Sequence, residues 1–210
     1  MKKEQKQKAL TILASLYPDA KPALNYTTPY ELLVAVVLSA QCTDERVNIV
    51  TKELFKGYNT PERMITLSQK ELEKYIFSCG FYRMKAEYIL SASRDILEKF
   101  GGEVPSTIEE LMTLAGVGKK TANVVYSVAF GGDAIAVDTH VFRVSNRLGL
   151  AKGKTPEQVE EGLCKAVPKA DWSKAHHWLI YHGRRVCHSQ KPECEGCALN
   201  ELCDFFKTKK

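Results

Sequence analysis

Four cysteines in one short stretch constrain this fold more than any other feature of the sequence. They are spaced Cys-x6-Cys-x2-Cys-x5-Cys near the end of the 210-residue chain, at Cys187, Cys194, Cys197 and Cys203. Four thiols from one short loop predict a metal centre, because a reducing cytoplasm disfavours structural disulfides. The stretch contains few apolar residues, so we expect the metal to be structural and the loop to depend on it for folding.

Spacing also indicates which metal is held and which cysteines hold it. Zinc sites usually present two separated Cys-x2-Cys pairs, whereas four cysteines of one compact loop are typical of a [4Fe–4S] cluster. The spacing therefore favours the cluster and leaves zinc as the alternative. His188, beside the first cysteine, is interpreted as a surface residue. The other cysteines, Cys42, Cys79 and Cys164, are predicted to be buried apolar residues within helical segments.

The rest of the chain predicts an all-α fold. Residues 155–158 (TPEQ) are a helix start with proline at its first position. The helix behind them would place three apolar residues on one face: Val159, Leu163 and Val167. Residues 106–109 (STIE) resemble a capping box for a helix that runs up to Gly116. Long alternating strand patterns are absent, and a break is expected near residues 131–133.

Charge and the N-terminus bear on partners and location. The net charge is +5, and residues 1–110 hold 15 basic and 15 acidic side chains against 15 and 10 in residues 111–210. The excess predicts a polyanion partner for the second half, although a solvated basic face would look the same. Near the N-terminus, apolar residues recur at helical spacing rather than as a signal peptide: Leu10, Leu13, Leu16 and Tyr17. No run could span a bilayer, so we expect a monomeric cytoplasmic protein without a membrane partner.

A glycine-rich segment, residues 114–122 (LAGVGKKTA), separates two predicted helices. Gly116 can end the first helix in a left-handed conformation, and Gly118 allows another backbone to come close. The second helix would then begin with unpaired amides, which bind phosphate oxygens without regard to base identity. By itself the segment is more typical of a tight turn between two packed helices.

Longer stretches around this segment resemble the endonuclease III family. They are residues 114–149 (LAGVGKKTANVVYSVAFGGDAIAVDTHVFRVSNRLG), residues 32–44 (LLVAVVLSAQCTD), residues 80–89 (GFYRMKAEYI) and the four-cysteine spacing. The match runs from about residue 5 to about residue 205. It leaves no room for an extra C-terminal domain, which argues against the related adenine-mismatch glycosylases. Two departures are Ala115, where the family often has proline, and the sparsely basic stretch 188–193.

The resemblance implies a fold of two helical domains with a DNA-binding groove between them. Residues 22–133 would form a six-helix domain carrying a helix–hairpin–helix, and residues 1–21 plus 134–210 would form an iron–sulfur cluster domain. The partner would be double-stranded damaged DNA. The four clustered cysteines would bind a [4Fe–4S] cluster.

The resemblance also implies roles for individual residues. The catalytic lysine of the family corresponds to Lys120 and its catalytic aspartate to Asp138. Gln41, and less directly Phe81 or Tyr82, correspond to the residues that fill the gap left by an extruded base. Further DNA contacts are expected along the hairpin and beside the aspartate: Gly116, Val117, Gly118, Lys119, Thr121 and His140.

The expected activity is that of a DNA glycosylase that also cleaves abasic sites. A neutral lysine amine attacks C1′, displaces an oxidised or ring-saturated pyrimidine, and leaves a Schiff base that permits β-elimination. A fixed carboxylate stabilises positive charge on the sugar. Asp138 would also be the N-cap of the helix behind it, which is the alternative to a chemical role. A non-catalytic DNA-binding module and an electron carrier built on the cluster remain alternative functions.

Overall fold

A computed structural model describes residues 1–208, and those residues form helices and turns with no β-strand. The chain folds into two compact units. One comprises Met1–Lys21 together with the chain from Asp133 onward, and the other is Pro22–Gly132. The all-α prediction is confirmed. Asp133 was expected in the same unit as Pro22. It belongs instead to the unit with the N-terminal helix, where its carboxylate lies 3.2 Å from the Lys169 ammonium.

The unit Pro22–Gly132 is built from seven helical segments. They are α2 (Pro29–Ser39), α3 (Asp44–Leu54), α4 (Pro61–Met64), α5 (Gln69–Ile76), α6 (Tyr82–Phe100), α7 (Ile108–Leu111) and α8 (Lys119–Ala129). Nearly all of α2 is buried, and α3, α6 and α8 pack directly against it. α4 and α5 pack on α6, and α7 packs on α8. The core includes these fully buried side chains: Leu38, Leu54, Met64, Leu72, Ile76, Ile96 and Leu111. Apolar burial on this scale is the main source of the unit's stability.

The other unit joins the N-terminal helix to the last third of the chain. Its helices are α1 (Lys3–Leu16), α9 (Thr139–Leu148), α10 (Pro156–Ala166), α11 (Trp172–Arg185) and α12 (Asp204–Lys207), with a 3-10 turn at Lys169–Asp171. The predicted apolar face of α10 is buried, as is the apolar face of α9, and α1 packs against α10 and α11. On α1 the buried residues are Ala9, Leu10 and Leu13, followed by Tyr17. Leu16 was expected on this face but is 42% exposed.

Helix starts follow local chemistry, with one correction. Thr155 caps α10 and Pro156 is its first residue, as predicted. The start predicted at Ser106 is wrong by one residue: Thr107 is the N-cap of α7, and its hydroxyl accepts a hydrogen bond from the Glu110 amide at 3.2 Å. The helix behind it ends at Leu111, well before Gly116. Within residues 1–208, no helix is both long and apolar enough to cross a membrane.

The three isolated cysteines differ from expectation. Only Cys164 lies in a helix, whereas Cys42 and Cys79 lie in the turns before α3 and α6. Cys79 is fully buried, but Cys42 and Cys164 are half-buried. Burial is the main cause that raises the pKa of the Cys79 thiol to about 11, and the neighbouring Cys42 thiol adds to the rise.

Candidate functional site

The glycine-rich hairpin joins α7 to α8. Gly116 has φ +76°, and a Cβ there would lie 2.7 Å from the Tyr88 ring, so both backbone angle and space require glycine. Val117 is buried and anchors the hairpin to the core. Gly118 has extended backbone and open space where a side chain would point. It is the N-cap of α8, and no side chain caps that helix. A helix start without a side-chain cap is a place where backbone amides can bind an anion, which is the contact predicted for this hairpin.

The predicted nucleophile lies in the first turn of α8. Lys119 and Lys120 are the first two residues of the helix, and both side chains are exposed. Thr121, also assigned to the DNA contact, is half-buried. The helix continues inward through Ala122 and Val125, which are fully buried. The exposed first turn is thus held rigidly by the apolar body of the same helix.

Asp138 lies at the start of α9 in the other unit. It follows the buried segment 134–137, and its carboxylate accepts a hydrogen bond from the Val141 amide at 2.7 Å. This bond confirms that Asp138 is the N-cap of α9. The carboxylate is thereby held in one orientation at the start of the helix. His140 is half-buried; burial lowers the pKa of its imidazole, and the nearby Asp138 charge raises it.

The four clustered cysteines line one cavity. Cys187, Cys194, Cys197 and Cys203 share this cavity with His182, Leu148 and Phe206. Cys197 receives a hydrogen bond from the Leu199 amide at 3.4 Å, and its sulfur lies 3.6 Å from Nε2 of His182. Burial is the main cause that raises the pKa of the Cys197 thiol, and the other three thiols add to the rise. The hydrogen bond from the Leu199 amide has an opposite effect, smaller than that of burial. Four sulfurs gathered in a partly buried cavity are therefore costly as thiolates unless a positive centre lies among them.

Arg147 in α9 fastens both ends of the cysteine loop. Its guanidinium donates to His188 O at 2.6 Å and to Ser189 O at 2.9 Å, and lies 3.6 Å from the sulfur of Cys187. At the other end of the loop, the Cys203 thiol donates to the backbone oxygen of Arg147 at 3.3 Å. Side-chain bonds to the backbone thus shape a segment with little apolar content. His188 is half-buried and close to Glu193, with Nε2 3.4 Å from the carboxylate.

Two turns in the unit Pro22–Gly132 share an unusual backbone conformation. Gln41 has φ +52° and Phe81 has φ +56°, both in the left-handed region that side chains with a Cβ disfavour. Gln41 and Phe81 are exposed and line a single pocket of about 200 Å³ with Gly116 of the hairpin. Tyr82, the alternative to Phe81, is half-buried and packs against the core instead. Strain of this kind is concentrated at functional sites.

Comparison with known proteins identifies the family. Residues 34–169 match the model of the HhH-GPD superfamily base excision DNA repair protein. The chain belongs to this superfamily. It is 47% identical over 205 residues to endonuclease III of Haemophilus influenzae, covering 98% of this chain and 97% of that one. It is 52% identical over 192 residues to endonuclease III of Bacillus subtilis, covering 91% and 88%.

Solved structures of HhH-GPD proteins show the same fold. A trapped endonuclease III–DNA covalent intermediate, described as an estranged-adenine complex, matches with a TM-score of 0.95, 49% identity, and coverage of 100% of this chain and 99% of that one. A non-covalent endonuclease III–DNA complex matches with a TM-score of 0.95, 48% identity, and coverage of 100% and 98%. This HhH-GPD protein is therefore a base excision repair DNA glycosylase.

One buried residue beside the pocket of this HhH-GPD protein escaped the sequence analysis. Lys85 lines the pocket with Gln41 and Phe81, yet its side chain is only 4% exposed. The available signal was its position on α6, four residues before Ile89 and eight before Ser93, both of which are buried. A lysine in the apolar stripe of an amphipathic helix needs a partner inside the protein.

Proposed function

We propose that this chain is a bifunctional glycosylase that removes oxidised or ring-saturated pyrimidines from double-stranded DNA and then cleaves the strand. The lysine would be Lys120, whose amine attacks C1′ of the damaged nucleotide while the base departs with a proton. The resulting Schiff base permits β-elimination, which breaks the bond to the 3′ phosphate. The observation that carries the proposal is an exposed lysine in the first turn of a helix whose amides have no side-chain cap.

The hairpin supports the substrate assignment. Amides at an uncapped helix start bind a phosphate oxygen, and contacts of this kind hold a duplex in register without reading its sequence. A solved relative with 49% identity was captured as a covalent intermediate with DNA. The amine must reach C1′, so the target nucleotide has to leave the stack, at a cost of a few kcal/mol that is smaller for a damaged base.

Asp138 would stabilise the positive charge that develops on the deoxyribose as the base departs. Its hydrogen bond from the Val141 amide fixes the carboxylate before substrate arrives, so little reorganisation accompanies the reaction. We assign His140, in the same first turn of α9, to contact with the DNA backbone. Its neutral form is favoured by burial, which suits hydrogen bonding rather than charge pairing.

The four cysteines lining one cavity would hold a [4Fe–4S] cluster. Their spacing within one compact loop favours this larger cluster over zinc, whose sites usually present two separated Cys-x2-Cys pairs. When bound, the cluster supplies metal–thiolate bonds that cross-link the loop. We therefore expect Cys194→Ser to lower stability or solubility. Stoichiometric zinc without iron in anaerobically purified protein would overturn the assignment.

Borohydride trapping tests the proposed chemistry directly. A duplex carrying a ring-saturated thymine is incubated with the protein and borohydride, which reduces a Schiff base to a stable cross-link. The wild-type protein should cross-link, and Lys120→Gln should bind damaged DNA without cross-linking. Lys119→Gln is the matched control, since it removes the neighbouring exposed amine and should still cross-link. The opposite result for these two variants would place the nucleophile at Lys119, and normal trapping by both would exclude either lysine.

A further inference from the structure

A buried lysine occupies the underside of the turn that presents Gln41. Lys85 lies on α6 with its side chain almost fully enclosed, and burial is the main cause that lowers the pKa of its ammonium. Its Nζ donates to Leu38 O at 2.8 Å and to Ala40 O at 2.6 Å. Bonds from a cation to two carbonyls are among the stronger hydrogen bonds in proteins, and they compensate for the loss of water.

Those two carbonyls belong to the end of α2. The helix ends at Ser39 with Ala40 as its C-cap, and the last carbonyls of a helix have no partner within it. They also carry the negative end of the helix dipole, which a cation stabilises. Lys85 therefore caps α2 from a neighbouring helix. The oxygen it holds at Ala40 is in the peptide group that leads directly into Gln41.

Gln41 needs such support because its own backbone is disfavoured. A left-handed conformation in a residue with a Cβ persists only where the surroundings impose it. On the far side of the turn, the Cys42 amide donates to Ser39 O at 3.1 Å. Gly80 leaves room for this turn, since a Cβ there would lie 3.2 Å from Gln41 O. Lys85 adds a side-chain restraint to the residue just before Gln41.

We propose that Lys85 is a positioning residue for the filling of the DNA gap by Gln41. This inference rests on the proposed function, in which Gln41 enters the space that the extruded nucleotide leaves. By fixing the end of α2, the buried ammonium holds the Gln41 turn in its left-handed form before DNA binds. A side chain presented in this way enters the duplex without first losing the freedom of a mobile turn.

The role predicts a dependence on the form of the DNA. A preformed abasic site in a duplex leaves a gap opposite the unpaired base, whereas the same strand alone offers no stacked gap to fill. Lys85→Met keeps the length of the side chain and removes its donors. It should slow borohydride trapping on the duplex by about tenfold to a hundredfold. Trapping on the single strand, which needs the amine but not Gln41, should stay within about twofold of wild type.

Matched variants separate positioning from stability. Tyr30→Phe removes another buried tie between α2 and α6, the 2.6 Å hydrogen bond between the Tyr30 hydroxyl and Ser93 Oγ near the start of α2. It should lower stability while leaving the ratio of duplex to single-strand trapping unchanged. Lys85→Arg, whose guanidinium can reach two carbonyls, should restore most of that ratio. If Lys85→Met does not fold, Lys85→Gln takes its place, with one donor group and an intermediate ratio.

Gln41→Ala completes the experiment. If Lys85 acts through Gln41, the double variant of Gln41→Ala and Lys85→Met should trap duplex no more slowly than Gln41→Ala alone. Full additivity would overturn the proposal. So would an equal loss on duplex and single strand, or a changed ratio in Tyr30→Phe. Absence of trapping by the wild-type protein on both forms would instead refute the proposed lyase function.

Discussion

The starts of α8 and α9 differ in whether a side chain caps their first backbone amides. α8 begins at Gly118 without a side-chain cap, and its first turn is exposed. α9 begins at Asp138, whose carboxylate already occupies the Val141 amide. An open start is available to an external anion, whereas a closed start uses its amides to orient an anion of its own. In the proposed function, the open start would bind the duplex and the closed start would hold the carboxylate that acts on the sugar.

The largest expected difference between the two starts is chemical. Asp138→Asn retains a capping oxygen but removes the charge, so base excision should slow by about 10²- to 10⁴-fold. Trapping on a preformed abasic site should survive better, because the amine is intact and no base has to leave. The measurement compares single-turnover excision with borohydride trapping for the same variant. Equal losses in both assays would mean that the carboxylate does not act in base departure.

As the pH is lowered, the unit that contains α9 should lose stability before the unit that contains α8. Burial, with a smaller effect of His176, lowers the pKa of His177 in α11 to about 3. The unfolded chain, with an ordinary histidine pKa of about 6.5, therefore binds one more proton between these values, and stability falls as the pH is lowered through that window. His177 alone should account for a loss on the order of 2 kcal/mol between about pH 7 and about pH 4.5.

Hydrogen exchange resolved by segment is the measurement for this acid effect. As the pH is lowered, protection in α9 and α11 should fall at a higher pH than protection in α8, and His177→Phe should flatten the dependence of the free energy of unfolding on pH. An unchanged slope in His177→Phe would assign the acid sensitivity to other groups. His182, whose pKa burial lowers to about 4, is retained in both proteins and does not disturb the comparison.

A smaller effect should follow from closing the open start. Gly118 has extended backbone and room for a side chain, so Gly118→Asp can place a carboxylate on the first amides of α8. Stability should stay equal or rise by a few tenths of a kcal/mol. Affinity for undamaged duplex should fall about tenfold at low salt, because the amides are occupied and a negative charge faces the phosphates.

Gly118→Ser is the neutral control for this change, since it caps the same amides without charge. Its affinity should lie between those of the wild-type protein and Gly118→Asp. Titrations over a range of salt concentrations should show steep weakening for all three proteins. Wild-type affinity in Gly118→Asp, or binding that ignores ionic strength, would remove the phosphate-docking role of the hairpin.

Local signals in the sequence predicted the features that depend on local chemistry. The left-handed Gly116, the Asp138 cap and the Thr155 start each follow from a residue and its immediate neighbours. The capping box at Ser106 was misplaced by one residue because the adjacent Thr107 offers the same hydroxyl. Adjacent candidates of equal chemistry cannot be separated without the packing of the helix behind them.

Features that depend on tertiary contacts could not be predicted in this way. The bonds from Lys85 to the end of α2 join residues more than forty positions apart. The left-handed turns at Gln41 and Phe81 are imposed by their surroundings, against the preference of the residues themselves. The resemblance placed Gln41 at a DNA gap but gave no reason for its rigidity. That reason is supplied by the buried cation beneath the turn.

Arg147 lowers the entropic cost of ordering the cysteine loop. Its guanidinium holds the backbone just after Cys187, while its own backbone oxygen meets the Cys203 thiol. Both ends of the seventeen-residue segment Cys187–Cys203 are thus fastened to one residue. Closing a flexible loop costs conformational entropy that grows with its length, and the hydrogen bonds to Arg147 offset much of that cost. The proposed cluster would therefore have to order only the middle of the loop, around Cys194 and Cys197.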